Sequence, residues 1–325
     1  MDSQRLTIPA SFFGIILGLA GLSNGWREAA SLWHAPTWIG EALALLAGVC
    51  WLTLLFLFAR KWLVSREAAL GESRHPIQCC YIALVPVTTM LMAISALPHS
   101  RPLAILLYAV GAIGTLAFGV WRHGSLWRGG RPSSSTTPVL YLPTVAGNFV
   151  SAIGAGALGW TQVGQMFFGA GVLAWLAMES VILHRLLLAE ALPPPLRPTL
   201  GIQWAPPVVG LLAYLSVSEG LPDMFAFALL GYGLLQGLLL LRLLPWITAQ
   251  PFSPGYWGFT FGASAIALGA MRMVERGAAG AVELIAPALF VMANMVIGGL
   301  ALASLVSLAR GNFLPAPVPA SPVDR

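Results

Sequence analysis

Two carboxylates stand inside or beside long apolar runs, and they are the first residues that could do chemistry. Glu179 lies in an apolar run that ends near His184 and Arg185, and Glu41 lies near the start of another run. A carboxylate within a membrane serves either as a proton-coupling group or as the partner of a nearby base at the lipid surface. The sequence leaves both interpretations of Glu179 open.

Enzyme signatures are absent from the rest of the sequence. The three cysteines, Cys50, Cys79 and Cys80, form no CxxC pair and no Cys/His cluster with metal-ligand spacing. Motifs of the HExxH, GxSxG and Walker types are missing, so neither a catalytic metal nor a nucleotide is indicated. We interpret the adjacent Cys79 and Cys80 as apolar packing residues. The protein is therefore expected not to be an enzyme and to hold no cofactor.

The amino-acid composition indicates whether the surface of the protein faces water or lipid. Hydrophobic residues make up 58% of the 325 residues, and charged residues make up only 9%. A soluble protein has roughly 25% charged residues, so most of this surface must face the lipid bilayer. The net charge of +5 does not indicate a nucleic-acid partner, because the basic residues stand between the apolar runs.

The apolar runs have the length of membrane-spanning helices. Ten of them reach the length of about 20 residues that crosses a bilayer. The predicted spans are 8–26, 37–59, 77–97, 102–121, 138–160, 164–188, 199–218, 222–244, 256–274 and 281–308. The first run lacks a strongly basic leader and resembles the later ones, so we expect it to be retained rather than cleaved. The predicted fold class is an all-α integral membrane protein.

Lys and Arg are unevenly divided between the two predicted sides of the membrane. Of the 17 basic residues, 13 fall on one side and four on the other. The four are Arg27, Arg101, Arg272 and Arg276. Because basic loops stay in the cytoplasm, this split predicts that both termini are cytoplasmic. Residues 1–313 are predicted to form a single membrane domain, and the Pro-rich residues 314–325 a disordered tail.

The odd-numbered spans are rich in small residues, and each carries a proline or glycine that could break the helix. The positions are Pro86, Pro143 and Pro206, with Gly14 and Gly262 in the first and ninth spans. Their spacing of about 60 residues is the length of one helical hairpin with its loops. The pattern predicts five tandem hairpins, whose kinked inner helices surround a central pore. Prolines are common in membrane helices, so unrelated prolines are the alternative.

The predicted inner helices carry no charge through their middles. Their polar groups are hydroxyls, backbone groups and the amide of Asn148, which solvate an anion weakly and let it leave fast. A cation channel would need acidic rings, and a proton-driven carrier a buried titratable group. A phenylalanine among small residues either fills a void between helices or closes a narrow pore.

Seven segments, in order along the chain, resemble the tellurite-resistance/dicarboxylate transporter family, which includes the plant slow anion channels. The segments are 13–23, 82–91, 141–149, 167–171, 231–236, 241–246 and 256–262. The resemblance runs through residues 8–313, and its specificity lies in the ordered set rather than in any one motif. It implies five hairpins around a pore, a homotrimer with one pore in each protomer, the bacterial inner membrane, and small inorganic or organic anions as partners.

The resemblance also assigns roles to residues. The family's gating phenylalanine falls on Phe261, within the pattern Trp257-x-Phe259-x-Phe261-Gly262, and the glycine that packs against the gate falls on Gly14. The complete expected set of gate-packing and pore-lining residues is Gly14, Phe13, Pro86, Thr88, Pro143, Asn148, Phe149, Pro206 and Gly262.

The expected function is a gated anion channel that conducts passively. The alternative is a proton-coupled carrier or exporter of small organic acids, of tellurite or sulfite oxyanions, or of lipophilic cations. Glu179 would supply the titratable group of such a carrier. A third class, a non-conducting structural or sensor protein, would show no flux.

Overall fold

The structure is a computed structural model that describes residues 7–314; most of the predicted tail, residues 315–325, lies outside the described residues. This part of the chain is helical, with no strand. Its α-helices are α1 Gly14–Trp33, α2 Thr37–Val64, α3 Arg66–Arg74, α4 Leu84–Ala96, α5 Arg101–Leu126, α6 Gly147–Ala157, α7 Thr161–Leu188, α8 Leu200–Gln203, α9 Ala205–Val217, α10 Met224–Ile247, α11 Gly258–Glu275 and α12 Ala281–Ala309.

Within residues 7–314, eight helical stretches are long and apolar enough to cross a membrane. They are Thr37–Val64, Gln78–Ala96, Arg101–Leu126, Pro138–Ala157, Thr161–Leu188, Pro194–Val217, Met224–Ile247 and Ala281–Ala309. Each coincides with a predicted span, so the chain is a multi-pass membrane protein. The other two predicted spans are helical as α1 and α11, but they are not among these eight.

Five helices form the inside of the molecule, and we call α1, α4, α6, α9 and α11 the inner helices. Each contacts two others, and the contacts close into a ring in the order α1, α4, α6, α9, α11 and back to α1. The helix that follows each one, which we call outer, packs against it from outside. Burial follows this division, since 89% of the Pro194–Val217 window is buried and only 11% of the Ala281–Ala309 window.

The inner helices change geometry near their starts. Turns of 3₁₀-helix precede α1, α4 and α11, at Ala10–Phe13, Gln78–Ala83 and Pro254–Trp257. A π-helical turn at Leu142–Ala146 precedes α6 and contains Pro143. Proline lacks the backbone N–H that a regular helix uses, and such turns accommodate the missing bond.

One of the predicted helix breaks is not at the residue where the sequence suggested it. We expected the break in the ninth span at Gly262, but Gly262 lies inside the regular α11, which follows a 3₁₀ turn and begins at Gly258. Close packing is what requires a glycine at position 262, because a Cβ there would lie 3.0 Å from atoms of Trp204. Glycine therefore marks a helix contact here rather than a kink.

Glycines allow the inner helices to approach each other closely. A Cβ added at Gly18 of α1 would lie 2.7 Å from the Cβ of Thr260 on α11, and Thr260 is fully buried. Gly48, on the outer helix α2, has no atom within 4 Å of the same position. The two glycines therefore make a matched pair for testing this packing.

We expect Gly18→Ala to destabilise the protein and Gly48→Ala to leave it unchanged or slightly stabilised. Overpacking a tight contact costs about 1–3 kcal/mol, whereas Ala is about 0.5–1 kcal/mol better than Gly inside an unconstrained helix. The thermal midpoint of the purified protein in detergent measures the difference. Equal midpoints for the two variants would show that the α1–α11 contact is looser than described.

A buried ion pair fixes the start of α1. We call the end of the molecule that carries Lys61 the basic end, and the end that carries Arg272 the opposite end. Lys61 Nζ pairs with Glu72 of α3 and donates to the carbonyl oxygen of Ile8 over 2.9 Å. The backbone N–H of Ala10 donates to Glu72 Oε1 over 2.7 Å. The segment that leads into the ring of inner helices is therefore tied to α2 and α3.

Candidate functional site

The ring of inner helices encloses a cavity near its basic end. The empty space at this site, which includes space open to solvent, is about 580 Å³, and all five inner helices or the turns before them contribute to its wall. Its lining residues are Ser11, Gly14, Leu17, Tyr81, Leu84, Tyr141, Leu142, Val145, Ala146, Phe149, Ile202, Ala205, Pro206, Val209, Pro254, Gly255, Trp257, Gly258 and Phe261.

The described lining of this cavity is free of charged side chains. Its polar side chains are the hydroxyls of Ser11, Tyr81 and Tyr141 and the indole of Trp257, whose N–H is already bonded to Ser304. Such a wall offers a small ion only weak donors, so it can pass an anion without holding it tightly. An acidic ring, which would favour cations, is missing from this lining.

Phe261 of α11 lines this cavity and is 6% exposed. The next residue, Gly262, lies directly against Trp204, whose Nε1 donates to the carbonyl oxygen of Gly233 over 2.8 Å. On its other side, Thr260 lies against Gly18. The backbone that carries the phenyl ring is therefore held between neighbouring helices.

Gly14 lies on the wall of the same cavity, at the first residue of α1. A Cβ added there would lie 3.6 Å from the Cβ of Trp257, and no atom of Phe261 lies within 4 Å of that position. Gly14 and Phe261 thus share the cavity, but the structure does not show the close packing between them that the family resemblance implies.

A second phenyl ring, that of Phe149 on α6, closes the side of the cavity. Phe149 is fully buried, and two glycines make room for it. A Cβ at Gly171 would lie 2.7 Å from its Cδ1 atom, and a Cβ at Gly210 would lie 3.1 Å from its Cζ atom. Phe149 is consequently fixed by its neighbours in α7 and α9.

Glu179 lies behind the cavity wall and is 9% exposed. Its carboxylate accepts a hydrogen bond from the hydroxyl of Tyr141, which lines the cavity. Four more donors reach it, namely Trp175 Nε1 at 2.9 Å, Gln203 Nε2 at 3.0 Å, Tyr232 Oη at 2.6 Å and Gln236 Nε2 at 3.5 Å. The carboxylate therefore connects α7 to α8, to α10 and to the turn before α6.

The local ion pair that the sequence allowed for Glu179 is not formed. Among the ion pairs within residues 7–314, none includes Glu179, Arg185 or His184. Neutral donors satisfy the carboxylate instead, which is how a buried charge is tolerated away from water. The sequence did indicate one part of this donor network. Tyr232 and Gln236 are four residues apart in an otherwise apolar helix, so they share one face of it.

A family model described as SLAC1, voltage-dependent anion channel, matches residues 7–305 of the chain. The chain belongs to this family. The family predicted from the ordered segments is thereby confirmed, and the SLAC1 family is one of channels and transporters.

Individual relatives in the SLAC1 family share similarity along most of the chain. The tellurite resistance protein TehA homolog of Haemophilus influenzae is 38% identical over 312 residues, which are 96% of this chain and 94% of that protein. The guard cell S-type anion channel SLAC1 of Arabidopsis thaliana is 26% identical over 287 residues, which are 83% of this chain and 50% of that protein. An uncharacterized transporter of Methanocaldococcus jannaschii, MJ0576, is 21% identical over 226 residues, which are 62% of this chain and 65% of that protein.

Four of the predicted site residues of this SLAC1-family chain meet at the cavity. They are Gly14, Phe149, Pro206 and Phe261, from α1, α6, α9 and α11. The remaining six, Phe13, Pro86, Thr88, Pro143, Asn148 and Gly262, are not part of its described lining.

Those six residues contact neighbouring helices or their own backbone. The ring of Phe13 packs edge-on against Phe58 of α2. Pro86 and Pro143 lie against Gly111, Gly114 and Gly119 of α5, where an added Cβ would meet them. Thr88 Oγ1 donates to the carbonyl oxygen of Leu84, Asn148 Nδ2 donates to that of Thr144, and Gly262 lies against Trp204.

Metal ligands are not assembled in the described part of the SLAC1-family chain. Within residues 7–314, no three His, Cys, Asp or Glu side chains come close enough to hold a metal ion. Cys79 and Cys80 are both buried, and their Sγ atoms are 3.9 Å apart. They lie in the 3₁₀ turn before α4.

Proposed function

We propose that the protein is a gated channel that conducts small anions passively through the ring of inner helices. The observation that carries this proposal is the uncharged cavity to which all five inner helices contribute, with Phe261 in its lining. A path that offers only weak donors favours anions over cations and releases them quickly. Phe261 is the obstruction that must move or be removed for conduction.

The same proposal includes ten membrane spans arranged as five hairpins. The eight apolar stretches and the closed ring of helix contacts support it, with α1 and α11 as the other two spans. Their charged residues, such as Glu28 and Arg272, lie near the opposite end, where a span reaches the membrane surface. The Lys and Arg division supports an arrangement in which both termini lie in the cytoplasm of a bacterial cell and the protein lies in the inner membrane.

We also propose that three copies assemble, each with its own pore. The exposed surface of the outer helices is apolar enough to face either lipid or another copy, as with Leu106 on α5, Leu173 on α7 and Leu302 on α12. The mass of the detergent-solubilised particle tests this assembly. A particle with the mass of one chain would exclude it.

The buried carboxylate of Glu179 favours one other function. A proton-coupled carrier or exporter of small organic acids, of tellurite or sulfite oxyanions, or of lipophilic cations would need a titratable group beside the path. Glu179 meets this need through Tyr141, since the tyrosine touches both the carboxylate and the cavity.

Flux measurements in liposomes separate these functions. For a passive channel we expect anion flux at equal pH on both sides, with a reversal potential that follows the anion gradient. A carrier would instead give uptake only with a pH gradient, and Glu179→Gln would abolish it. The absence of both fluxes from folded, reconstituted protein would leave the non-conducting sensor class.

A further inference from the structure

Arg272 is the next charged residue beyond Phe261 on the same face of α11. The helix is regular from Gly258 to Glu275, so the eleven residues from Phe261 to Arg272 make about three turns and return to one face. Ala265 and Leu268 lie between them on that face. Arg272 therefore stands on the pore side of α11, toward the opposite end of the molecule.

Two more inner helices place polar side chains beside Arg272, at the same height along the ring of inner helices. Glu28 in α1 follows the cavity-lining Leu17 by eleven residues, and Ser216 in α9 follows the cavity-lining Ala205 by eleven. The side chains meet at the arginine. Arg272 Nε lies 3.5 Å from Glu28 Oε2, and Arg272 Nη1 donates to Ser216 Oγ over 3.3 Å.

The remaining inner helices contact the same layer. A Cβ at Gly156 of α6 would collide with the carbonyl oxygen of Ser216, so α6 and α9 touch there. The carbonyl oxygen of Ser95 in α4 accepts from Arg27 over 3.3 Å, one residue before Glu28. The layer formed by Glu28, Ser216 and Arg272 is thus part of the ring of inner helices.

The carboxyl group of Glu28 is short of donors. Its side chain is 11% exposed, and its Oε1 atom is buried without a hydrogen-bond partner within the described residues. A carboxylate oxygen that is buried without a donor disfavours the charged form of the group.

The guanidinium of Arg272 has N–H donors that its neighbours leave unused. Its side chain is 30% exposed, and its Nη2 atom makes no hydrogen bond within residues 7–314. A guanidinium can offer two parallel N–H donors to a carboxylate or oxyanion, whereas Glu28 here makes a single contact. An incoming anion could therefore use donors that Glu28 leaves open.

We propose that Arg272 and Ser216 form an anion-binding site at the opposite end of the pore, and that Glu28 competes with the permeating anion for it. The inference rests on the proposed channel function. The ligand is a small inorganic anion or a small carboxylate. A proton on Glu28 removes negative charge from the layer, so acid on the side of Arg272 opens the site to anions.

Other titratable groups at this end define the controls. On α1 itself, Arg27 faces away from Arg272 and binds both carboxylate oxygens of Glu41 on α2, at 2.8 and 3.0 Å. His99 Nε2 lies 3.0 Å from Glu41 Oε2. Arg276, directly after α11, bonds to the carbonyl oxygen of Leu215 and to Ser218 at the end of α9 instead of to Glu28. Glu41 and His99 therefore form a separate cluster.

The pH response is measured on the Phe261→Ala background, with chloride as the probe and with each bath of a planar bilayer acidified in turn. We expect acid on one side only to increase the chloride current, and Glu28→Gln to give the high current at every pH. Glu41→Gln and His99→Gln should both keep the response. A response that survives Glu28→Gln but disappears with His99→Gln would overturn the proposal.

The anion site has its own measurement, the chloride-over-potassium permeability ratio. We expect this ratio to fall with Arg272→Gln and to be retained with Arg272→Lys, which keeps the charge. Arg101→Gln is the matched control, because Arg101 lies at the same end but on outer helix α5, where it bonds the carbonyl oxygen of Leu158. An unchanged ratio in Arg272→Gln would exclude the site.

The two proposals fail in different ways. If the Phe261→Ala background carries no current, the channel function itself fails. If it carries current that neither Glu28→Gln nor Arg272→Gln alters, only the site at Arg272 fails. Should Arg272→Gln not reach the membrane, the Glu28→Gln arm decides alone, because it needs no change at the arginine.

Discussion

We expect replacement of Phe261 with Ala to raise the anion current through the reconstituted protein at least about tenfold, which corresponds to about 1.4 kcal/mol off the barrier to passage. The phenyl ring lines a cavity whose other lining residues are apolar or weakly polar, so removing it should open space along the proposed path of the ion. It also shortens the stretch that must dewet when the pore closes. Single-channel and whole-bilayer currents at equal pH measure the effect.

The anion current should increase as the side chain at position 261 becomes smaller. Phe261→Leu leaves part of the obstruction and is expected to lie between the wild type and Phe261→Ala. Phe290→Ala is the matched control, because Phe290 packs against Trp26 and Trp33 between α1 and α12 and does not line the cavity. Wild-type current in a well-expressed Phe261→Ala protein would remove Phe261 from the gate.

The positions of the membrane helices were predictable because lipid imposes a strong and simple constraint. Every backbone polar group must be satisfied within the span, so a long apolar run becomes a helix whatever its neighbours are. The run predicted at 281–308 is the helix Ala281–Ala309, and the run at 37–59 lies within Thr37–Val64. Small residues also mark the helices that lie inside, because they allow helix backbones to approach closely.

The lining of the cavity was less predictable, because residue type does not fix the direction of a side chain. Thr88 and Asn148 were expected in the pore because they are polar. Each instead bonds the carbonyl oxygen four residues earlier in its own helix, Leu84 and Thr144 respectively. Such a bond satisfies the polar group without water, so a hydroxyl or amide in a membrane helix does not by itself mark a pore.

The environment of Glu179 could not be obtained from its own segment. Its partners include Tyr141 and Gln203, which are 38 and 24 residues away, and Tyr232, which is 53 residues away. Nothing in the spacing of residues along α7 reports which faces of other helices meet there. Proximity to Arg185 in sequence suggested an ion pair, but in the folded chain donors from other elements satisfy the carboxylate.

Replacing Glu179 with Ala is expected to cause the largest loss of stability. It would leave the buried donors of Tyr141, Trp175 and Gln203, and the half-buried hydroxyl of Tyr232, without their common acceptor. Each unpaired buried donor costs about 1–3 kcal/mol, so the total loss should be at least about 3 kcal/mol even after partial rearrangement. The thermal midpoint in detergent and the yield of monodisperse protein measure it.

Two variants serve as comparisons for the loss of stability in Glu179→Ala: Glu179→Gln is the conservative change, and Glu190→Ala is the control at an exposed site. Gln keeps one acceptor oxygen but turns an NH₂ group toward donors, so we expect an intermediate loss of stability. Glu190 is exposed, and its removal should change the midpoint by no more than about 0.5 kcal/mol in equivalent free energy. A wild-type midpoint for Glu179→Ala would mean that water or rearranged donors replace the carboxylate at no cost.

Glu179→Gln also decides whether the carboxylate of Glu179 is structural or transports protons. If Glu179 only holds Tyr141 and the surrounding helices in place, folded Glu179→Gln protein conducts anions at equal pH with the reversal potential of the wild type. If it moves protons, Glu179→Gln loses pH-driven uptake while its fold is retained. The network favours the structural role, because the donors to the carboxylate come from α7, α8, α10 and the turn before α6, so the carboxylate holds these elements together.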